Sequence, residues 1–576
     1  MIHLNKNLYT EYGENLNVSQ ILSEYPRPQF ARESFLNLNG YWNYKISKLP
    51  EIPESYENRI LVPFPIESAL SGVQKLLNKE YLIYHRCFRL PENFNRGKVF
   101  LNFGAVDQEA TVYVNGQNLF HHQGGYFPFS VDITEFLREN NELVVIVSDP
   151  TDTTYRAYGK QTLNPRTIWY TPITGIWQTV WLESVPENHL KKIIINPDYD
   201  EGEVNFQFET SGPCYGLLSI TDKGKLIIQK NFTESNVNIK ISDFIPWSPE
   251  NPHLYDLRIE IGEDVVNSYF AFRKFSIGEG PNGKCLFLNN QPYFMNGVLD
   301  QGYYSDGLYT PASDQAFIDD IMKMKDLGFN TLRKHIKIEP LRFYYHCDRL
   351  GMIVWQDMVN GGRYSFWKMS VLPTIGFQRF SDIKNLRSFG RETPESQEAF
   401  RKELEETVDL LYNVPSIALW TIFNEGWGQF HSVELYHYLK SLDQSRIIDS
   451  TSGWFDQGGS DLTSKHIYFK KLRFKKEKRP IVLSEFGGYS CHIKEHSYSK
   501  KEYGYKKFSS REDFEEAYIS LFENQVIPNL KKGLCACIYT QLSDVEEETN
   551  GILTYDRKVC KLNPERIKKL NQKFNL

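Results

Sequence analysis

The sequence predicts a multidomain fold class: a β jelly-roll sandwich, then an immunoglobulin-like β-sandwich, then a C-terminal (β/α)8 TIM barrel. Three observations support this prediction. The chain has 576 residues, enough for about two to four domains. Short strands broken by Gly, Pro and Asn fill its first half, and in the second half strands alternate with helices. We place the domains at residues 1–185, 186–277 and 278–576.

The jelly roll is predicted from the density of strands in its region. Apolar runs at 99–103, 110–114 and 143–147 have the length of strands, and Asn115-Gly116 between apolar runs is a strong hairpin signal. Such strands without long helices are typical of a sandwich or jelly roll. The second domain continues with predicted strands at 191–196, 204–208, 217–220 and 254–261. Its span of roughly 90 residues suits an immunoglobulin-like sandwich of about 100.

From residue 278 onward, the pattern changes to strands that alternate with helices. The predicted strands are 294–299, 329–333, 352–355, 417–423, 446–450, 466–469, 480–484 and 534–540. The predicted helices are 313–327, 340–350, 396–412, 432–442 and 510–527. Eight strand–crossover units over about 300 residues are typical of a (β/α)8 barrel, although the short units five to seven leave little room for helices. A doubly wound open sheet shows the same alternation, but no Gly-x-Gly-x-x-Gly turn follows an early strand, so we favour the barrel.

Composition and charge argue against several classes of function. The net charge of −6 gives no electrostatic reason to expect nucleic acid or an acidic membrane surface as a partner. The eight cysteines show no metal-ligand spacing. We assign no metal ligands and name no cofactor. The start, Met1 to Lys6, lacks the apolar stretch of a signal peptide, and no run approaches 18 apolar residues. These features predict a reduced, cytoplasmic protein.

Two glutamates are the strongest candidates for catalytic residues. Glu425 ends the apolar run that begins at Trp420, and Glu485 ends the run that begins at Ile481, each with glycine close behind. A buried, unpaired carboxylate is costly, whereas barrel enzymes place their chemistry at the carboxyl ends of the strands. Two such glutamates suggest the paired carboxylates that cleave glycosidic bonds. From the residues alone, either glutamate could be the nucleophile.

Polar side chains also end most of the other predicted strands. Asp300 ends strand one, His335 follows strand two and Asp357 follows strand three. Tyr468 lies in predicted strand six, and Gln541 follows strand eight. A single histidine of this kind is more often a satisfied rim residue than a ligand. Together, however, these groups predict a site that recognises a polyhydroxylated ligand, and we take them as substrate-binding candidates.

Several motifs resemble glycoside hydrolase family 2, the family of β-galactosidases, β-glucuronidases and β-mannosidases, over essentially the whole chain. The segments that resemble its sugar-binding jelly roll are Leu38-Asn39-Gly40-Tyr41-Trp42, Tyr84-His85-Arg86-Cys87-Phe88, Val112-Tyr113-Val114-Asn115-Gly116 and Gly175-Ile176-Trp177-Gln178. Those that resemble its barrel are Asn330-Thr331-Leu332-Arg333-Lys334-His335, Asn424-Glu425 and Ser484-Glu485-Phe486-Gly487.

The resemblance assigns roles to the candidate residues. It implies Glu425 as the general acid/base and Glu485 as the nucleophile of a retaining reaction. Asn424 would bond the 2-hydroxyl of the substrate, and Tyr468 would donate a hydrogen bond to the nucleophile. The implied function is a retaining exo-β-glycosidase that removes terminal non-reducing β-linked sugars. Its partner is an oligosaccharide or glycoside substrate, and a homo-oligomer is compatible because family members often form dimers or tetramers.

The sequence indicates the identity of the removed sugar less strongly than it indicates the glycosidase reaction. β-Glucuronidases of the family carry an Asn-x-Lys motif that grips the substrate carboxylate, but no Lys accompanies Asn550 in the matching region, so we rank this activity lower. Trp355-Gln356-Asp357 resembles β-mannosidases. We expect a β-galactosidase-like enzyme, with β-glucuronidase, β-mannosidase or another family 2 specificity as alternatives. An alternative from another class is a catalytically inactive carbohydrate-binding protein.

Overall fold

The computed structural model describes residues 8–56 and 58–574 of the chain. The segment from Met1 to Lys6, on which the prediction about a signal peptide rests, lies outside the described residues. Within the described ranges, no helix combines the length and apolar character needed to cross a lipid bilayer. The predicted fold class is confirmed, since two β-sandwiches precede an eight-stranded parallel barrel. The domain boundaries given above stay predictions.

The first sandwich consists of two antiparallel sheets around one apolar core. The larger sheet runs, in spatial order, through Asn58–Val62, Gly40–Ser47, Tyr81–Phe88, Asn141–Ser148, Glu109–Val114 and Gln117–Gln123. The smaller runs through Phe35–Asn37, Val180–Val185, Lys98–Phe103 and Phe129–Asp132. A short pair joins Val106–Asp107 to Gly175–Ile176. Trp42 from one sheet and Leu101 from the other share a core that excludes water, which holds the sheets face to face.

The second sandwich is smaller and is also antiparallel. Its sheets are Leu190–Asp198, Glu203–Thr210 and Asn236–Lys240 on one side, and Lys225–Phe232, Gly216–Asp222, Tyr255–Ile261 and Asp264–Phe270 on the other. A three-stranded unit, Phe275–Gly280, Gly283–Leu288 and Gln291–Pro292, then leads into the barrel. Leu286 of this unit packs with Met295 and Ala536, so the unit closes the amino-terminal end of the barrel.

Eight parallel strands form the barrel. They are β1 Met295–Asp300, β2 Thr331–Lys334, β3 Ile353–Asp357, β4 Ile417–Asn424, β5 Ile447–Ser452, β6 Thr463–Ile467, β7 Ile481–Gly487 and β8 Leu534–Thr540. Hydrogen-bonded pairing runs from β5 through β4, β3, β2, β1, β8 and β7 to β6. Every residue of β4 and β7 is buried, as expected for barrel strands covered on both faces.

Serine side chains bridge the one gap in the barrel, between β5 and β6. Ser452 Oγ of β5 lies 3.4 Å from Ser464 Oγ of β6. Ser464 Oγ in turn lies 2.5 Å from Ser484 Oγ of β7. These buried hydroxyls take the place of a backbone ladder, and they bring β5, β6 and β7 together at the rim where Glu485 lies.

The longer helices lie between the barrel strands or after β8, and shorter helical segments also occur in the jelly roll. The longer ones are Gln315–Asp326, Leu341–Leu350, Pro394–Leu411, Ser432–Leu442, Arg511–Leu521 and Pro564–Asn571. Shorter helical segments are Glu11–Glu14, Pro28–Phe30, Thr134–Phe136, Thr151–Thr153, Trp367–Val371, Leu372–Thr374, Leu386–Phe389, Phe522–Val526, Ile527–Leu530 and Gln572–Phe574. A two-stranded unit, Tyr489–Cys491 and Lys506–Phe508, follows β7. Residues 453–480, all of them described, contain no helix, as the short units five to seven predicted.

Strand β6 differs from its prediction. It starts at Thr463 rather than at 466 and ends at Ile467, so Tyr468 lies just beyond the strand. Its first residues, Thr463 to Lys465, are polar and carry no apolar signal, yet they pair with β7. The pairing is irregular between Lys465 and His466, which further obscures the strand pattern in the sequence.

Candidate active site

Two carboxylates meet at the carboxyl-terminal rim of the barrel. Glu425 directly follows β4, and Glu485 lies near the end of β7. One oxygen of each carboxylate lies within 4.8 Å of the other and of a ring nitrogen of His466. The Glu425 backbone has φ of 54°, a left-handed conformation that is uncommon for glutamate and clusters at functional sites. The Glu425 side chain is 18% exposed and that of Glu485 only 6%, so Glu425 lies nearer the opening.

Glu485 is held as an anion by the groups around it. Tyr468 donates its hydroxyl hydrogen to Oε2 at 2.6 Å, and Arg333 donates from Nη1 to Oε1 at 3.1 Å. Burial alone would raise the pKa of Glu485, but the charges of His466 and Arg333 and the Tyr468 hydrogen bond lower that pKa to about 2. A buried carboxylate that stays ionised, with its oxygens held in place, suits a nucleophile.

Arg333 of β2 organises the floor of the site. Its guanidinium forms a bidentate pair with Asp357 at 3.0 Å for each bond and also donates to Asn424 Oδ1 at 2.9 Å. Asp357 Oδ2 lies 2.8 Å from His335 Nδ1 as well. Burial opposes charge on the Asp357 carboxyl, yet Arg333 and His335 hold its pKa below the usual range. One buried network therefore joins Glu485 to three of the predicted substrate-binding residues.

His466 links the two carboxylates and was not among the predicted site residues. Its Nδ1 atom lies 2.8 Å from Glu425 Oε1 and 3.6 Å from Glu485 Oε2, and its Nε2 atom lies 2.9 Å from Ser452 Oγ. The side chain is fully buried. The sequence does contain a signal for it, since residues two apart on a strand face the same side and His466 precedes Tyr468 by two.

Asp300 and Gln541 form hydrogen bonds with neighbouring rim groups rather than with the carboxylate pair. Asp300 accepts from Lys334 Nζ at 2.6 Å and from the Gly302 backbone. Gln541, which follows a cis peptide bond, accepts from Gln301 at 2.9 Å and donates to Asn550 at 2.8 Å. Both side chains are buried at the barrel rim. Their substrate-binding roles stay predictions.

A loop of the jelly roll reaches over the barrel mouth, and no strand-end pattern in the sequence indicates this contribution. Tyr158 packs edge-on against Trp427, and its hydroxyl donates to the Gly362 carbonyl at 2.7 Å. Trp169 packs edge-on against Trp427 at a centroid distance of 5.1 Å. The Tyr170 hydroxyl donates to Glu548, in the segment after β8. The site is therefore built from two domains.

The carboxylate pair and His466 could also be considered as metal ligands. Within the described ranges, these three form the one group of His, Cys, Asp or Glu side chains whose donor atoms come close enough to share an ion. Arg333 already places its guanidinium 3.1 Å from Glu485 Oε1. A cation held there would face that positive charge at close range, which opposes metal binding. The donor set fits acid–base chemistry better than a metal site.

Three family models match the chain in sequence. The model for the sugar binding domain of glycosyl hydrolases family 2 matches residues 52–186. A second family 2 model matches residues 188–273. The model for the family 2 TIM barrel domain matches residues 282–562, which include every candidate site residue on the barrel.

Individual relatives are distant. A β-galactosidase of Leuconostoc mesenteroides subsp. mesenteroides is 25% identical over 435 residues, 67% of this chain and 38% of that protein. A putative β-glucuronidase of Formosa agariphila is 25% identical over 459 residues, 70% of this chain and 50% of that protein. The chain thus spans half or less of the length of these curated relatives. A solved β-glucuronidase of an uncultured Clostridium species has a TM-score of 0.74 at 18% identity, covering 94% of this chain and 99% of that one.

Proposed function

The chain belongs to glycoside hydrolase family 2, and from that premise we propose that it is a retaining exo-β-glycosidase. The observation that carries the proposal is the separation of the two carboxylates, whose oxygens approach within 4.8 Å. Retaining enzymes hold their carboxyl groups about 5–5.5 Å apart, whereas inverting enzymes need about 6.5–9.5 Å to admit a water molecule between them. The spacing supports direct attack by one carboxylate on the sugar.

In the first step, Glu485 attacks the anomeric carbon and forms a covalent glycosyl–enzyme ester. The bond from that carbon to the leaving oxygen breaks, and Glu425 donates its proton to this oxygen. Arg333 and Tyr468 hold the Glu485 carboxylate with both oxygens hydrogen-bonded, so the attacking group is oriented before the substrate arrives. Glu425 is the more exposed of the pair, which suits the residue that meets the departing aglycone.

In the second step, water replaces the departed group. Glu425, now ionised, takes a proton from the water, the water oxygen bonds to the anomeric carbon, and Glu485 is released. His466 can support both states of Glu425 through the same 2.8 Å contact. The Nδ1–H group can donate to Oε1 of the ionised carboxylate, and the carbonyl oxygen of the protonated acid can accept the same hydrogen bond. Two inversions give net retention of configuration.

Asn424 is proposed to bond the 2-hydroxyl of the sugar. Its Oδ1 atom is occupied by Arg333, which leaves the amide N–H groups of this side chain to face the ligand. A hydrogen bond to the 2-hydroxyl strengthens in the transition state of such reactions. Asn424 directly precedes Glu425, so the acid/base and this contact are positioned by the same strand end.

We keep a β-galactoside as the proposed substrate, with other β-glycosides of the family as alternatives. The sequence relatives named above are a β-galactosidase and a putative β-glucuronidase, which supports the glycosidase class without separating the sugars. A cytoplasmic setting is part of the same proposal. It is supported by the eight cysteines, all of which are free thiols in the structure.

Rescue by azide tests the proposed roles. Glu425→Ala and Glu485→Ala should each lower kcat on nitrophenyl β-glycosides by at least about a thousandfold. Azide should then restore turnover, with a β-glycosyl azide from Glu425→Ala and an α-glycosyl azide from Glu485→Ala, because each anion enters the space left by one carboxylate. Glu398→Ala, on an exposed helix face, is the matched control. Sugar binding without hydrolysis by the unmodified protein would instead support the inactive binding-protein alternative.

A further inference from the structure

Two segments beside the barrel mouth hold the most exposed apolar side chains of the described chain. The first, which we call the insertion, is residues 363–388, between β3 and the helix Pro394–Leu411. The second, which we call the basic loop, is residues 469–479, between β6 and β7. Six large apolar side chains in these segments are each 59–70% exposed, and no other large apolar side chain among the described residues is as exposed. They are Phe366, Trp367, Ile375, Phe377, Ile383 and Phe469.

Both segments are strongly basic, in contrast to the chain as a whole. Together they contain twelve Lys or Arg residues and two acidic residues, although the chain has a net charge of −6. One of the two acids, Asp382, is buried and accepts hydrogen bonds from Gln429 and Ser432. Of the twelve cations, only Arg479 forms an ion pair within the described part of the chain, and its partner is Asp456. The charge that these segments present to solvent is therefore positive and largely unpaired.

Buried side chains hold both segments on the barrel. In the insertion, Met369 is buried although Trp367, two residues before it, is the most exposed of the six apolar side chains. In the basic loop, Leu472 and Phe474 are buried, while the basic residues on either side of each are exposed. The exposed apolar and basic groups are therefore displayed by packed backbone. Large apolar side chains that cluster on a folded surface mark a site of interaction.

The two segments meet beside the active site. Lys470 of the basic loop donates from Nζ to the Thr374 carbonyl of the insertion at 2.9 Å. The Trp454 indole N–H lies 3.1 Å from the Met369 carbonyl of the insertion and 3.1 Å from the Glu425 carbonyl. The insertion and the basic loop thus form one surface next to the proposed acid/base, and we call it the basic apolar face.

We propose that the basic apolar face binds the surface of a lipid bilayer that contains anionic phospholipids. Exposed ammonium and guanidinium groups attract the lipid phosphates, and aromatic and aliphatic side chains enter the boundary between headgroups and acyl chains. The net charge of the whole chain gives no reason to expect such a partner. Attraction to a charged surface, however, depends on the charges within a Debye length of it, about 8–10 Å at physiological salt. The inference goes beyond the proposed glycosidase function and would turn the barrel mouth toward the bilayer.

A bilayer matches the basic apolar face better than other occupants do. A second copy of this chain would bring two positively charged faces together, and their repulsion opposes such a dimer. A nucleic acid or a sulfated polysaccharide would pair with the cations but would offer no apolar environment to the aliphatic side chains of Ile375 and Ile383. An anionic bilayer accommodates both the charge and the apolar groups.

Co-sedimentation with vesicles tests the inference and requires no hydrolysis. The full chain would be mixed with large unilamellar vesicles of phosphatidylcholine alone, or of phosphatidylcholine with about 30% phosphatidylglycerol. We expect a partition coefficient at least about tenfold greater on the anionic vesicles. Binding should weaken as the salt concentration rises from about 0.1 to about 0.5 M, because salt screens the attraction. Since the measurement is binding, its failure would leave the glycosidase proposal intact, and an inactive enzyme would leave this inference intact.

A variant with two apolar side chains replaced tests insertion into the bilayer. Trp367→Ser/Phe377→Ser should lower the partition coefficient on anionic vesicles by about tenfold or more, because it removes two exposed rings. Leu49→Ser/Leu226→Ser is the matched control, since it replaces side chains that are 58% and 52% exposed on the two sandwiches. The control should change the partition coefficient by less than about twofold.

A variant with four lysines replaced tests the charge of the basic loop. Changing Lys471, Lys475, Lys476 and Lys478 to Gln should lower the partition coefficient by about tenfold or more and reduce its dependence on salt. The same change at four exposed lysines of the sandwiches is the control and should have less than about a twofold effect. These lysines are Lys48, Lys75, Lys223 and Lys225. Circular dichroism would confirm that each variant is folded.

Three outcomes would overturn the inference. Equal binding to neutral and anionic vesicles, or binding to neither, would refute recognition of an anionic bilayer. Equal losses in the face variants and in their controls would indicate non-specific adsorption. A dimer in analytical ultracentrifugation that Trp367→Ser/Phe377→Ser converts to a monomer would show that a second copy covers the face.

Discussion

His466 and Glu425 lie in direct contact, with Nδ1 of the imidazole 2.8 Å from Oε1 of the carboxylate. The histidine side chain is fully buried, and its Nε2 atom lies 2.9 Å from Ser452 Oγ. The imidazole ring therefore cannot rotate freely. Glu425 therefore takes its orientation from β6 as well as from β4. This contact also fixes the acid/base relative to Glu485, because the same nitrogen lies 3.6 Å from that carboxylate.

Replacing His466 should weaken catalysis through the position of Glu425. We expect His466→Phe to lower kcat by about 10- to 100-fold, since loss of orientation at a reacting group has effects of this size. His466→Asn should recover part of the rate because its amide can still bond Glu425. The loss should be greater for a poor leaving group such as a methyl glycoside than for a dinitrophenyl glycoside, which needs no proton. An equal loss on both substrates would argue against a role through Glu425.

The low pKa of Glu485 predicts that the rate of covalent trapping depends little on pH under mildly acidic conditions. With a pKa of about 2 in place of the ordinary 4.5, the nucleophile stays charged as the pH falls. The rate of trapping by a dinitrophenyl 2-deoxy-2-fluoro-β-glycoside, which needs no acid catalyst, should change less than about twofold from pH 6 to pH 4. An ordinary glutamate would lose about fourfold over that range. Circular dichroism would confirm that the protein stays folded.

Tyr468→Phe is the matched variant for this pH profile. It removes one of the groups that lower the pKa of Glu485, the hydrogen bond from the hydroxyl to Oε2, and leaves Arg333 in place. The acid limb of trapping should move to higher pH. If the acid limb of the trapping rate stayed at the same pH in Tyr468→Phe, Tyr468 would not stabilise the Glu485 carboxylate.

A buried ion pair at the base of the barrel predicts a stability effect. Asp443 accepts from Arg446 at 2.8 Å, and both side chains are essentially inaccessible. Asp443→Ala should lower the free energy of unfolding by about 3–5 kcal/mol at pH 7, because it leaves the Arg446 charge buried without a partner. Urea unfolding measures this change. Lys402→Ala is the control, since it breaks an exposed pair with Glu406 and should cost about 1 kcal/mol or less.

The Asp443–Arg446 pair also predicts how the difference in free energy of unfolding between the unmodified protein and Asp443→Ala depends on pH. Burial would raise the pKa of Asp443, but Arg446 and the Trp420 indole hold it below the ordinary 3.8. A carboxyl with a depressed pKa in the folded state stabilises the protein above its unfolded pKa and loses that contribution as the pH falls. The gap between the unmodified protein and Asp443→Ala should therefore shrink below about pH 3.8. A constant gap would refute the ion-pair explanation.

Most of the site residues that could be predicted from the sequence lie at the ends of apolar runs. Glu425 and Glu485 each follow an apolar run, and such runs identify buried strands whatever their neighbours are. Predicted helix 432–442 and strand 534–540 match the structure at both ends. The strand is a continuous run of buried residues, which marks its bounds in the sequence. Strand β6 was misplaced because Thr463 to Lys465 are polar. His466 lay inside the predicted strand, but its role depends on the contact with Glu425, which arises from packing between strands.

The contribution of the jelly roll could not be predicted in this way. Gly159 lies 177 residues before Ile336 in the sequence, and no local pattern joins the two. Their proximity depends on the fit of Gly159 against Ile336 and on the bonds of the loop to Asn360. Contacts of this kind arise from tertiary packing, so a sequence read element by element does not contain them.

Mass spectrometry of the trapped enzyme tests the central claim most directly. The protein would be incubated with dinitrophenyl 2-deoxy-2-fluoro-β-glycosides of galactose, galacturonic acid, glucose and glucuronic acid, digested with pepsin and mapped. We predict one fluoroglycosyl group per chain, linked as an ester to Glu485, with none in Glu485→Gln. A label on Glu425 or another residue, or hydrolysis of the parent glycosides without any covalent intermediate, would contradict the double displacement by Glu485.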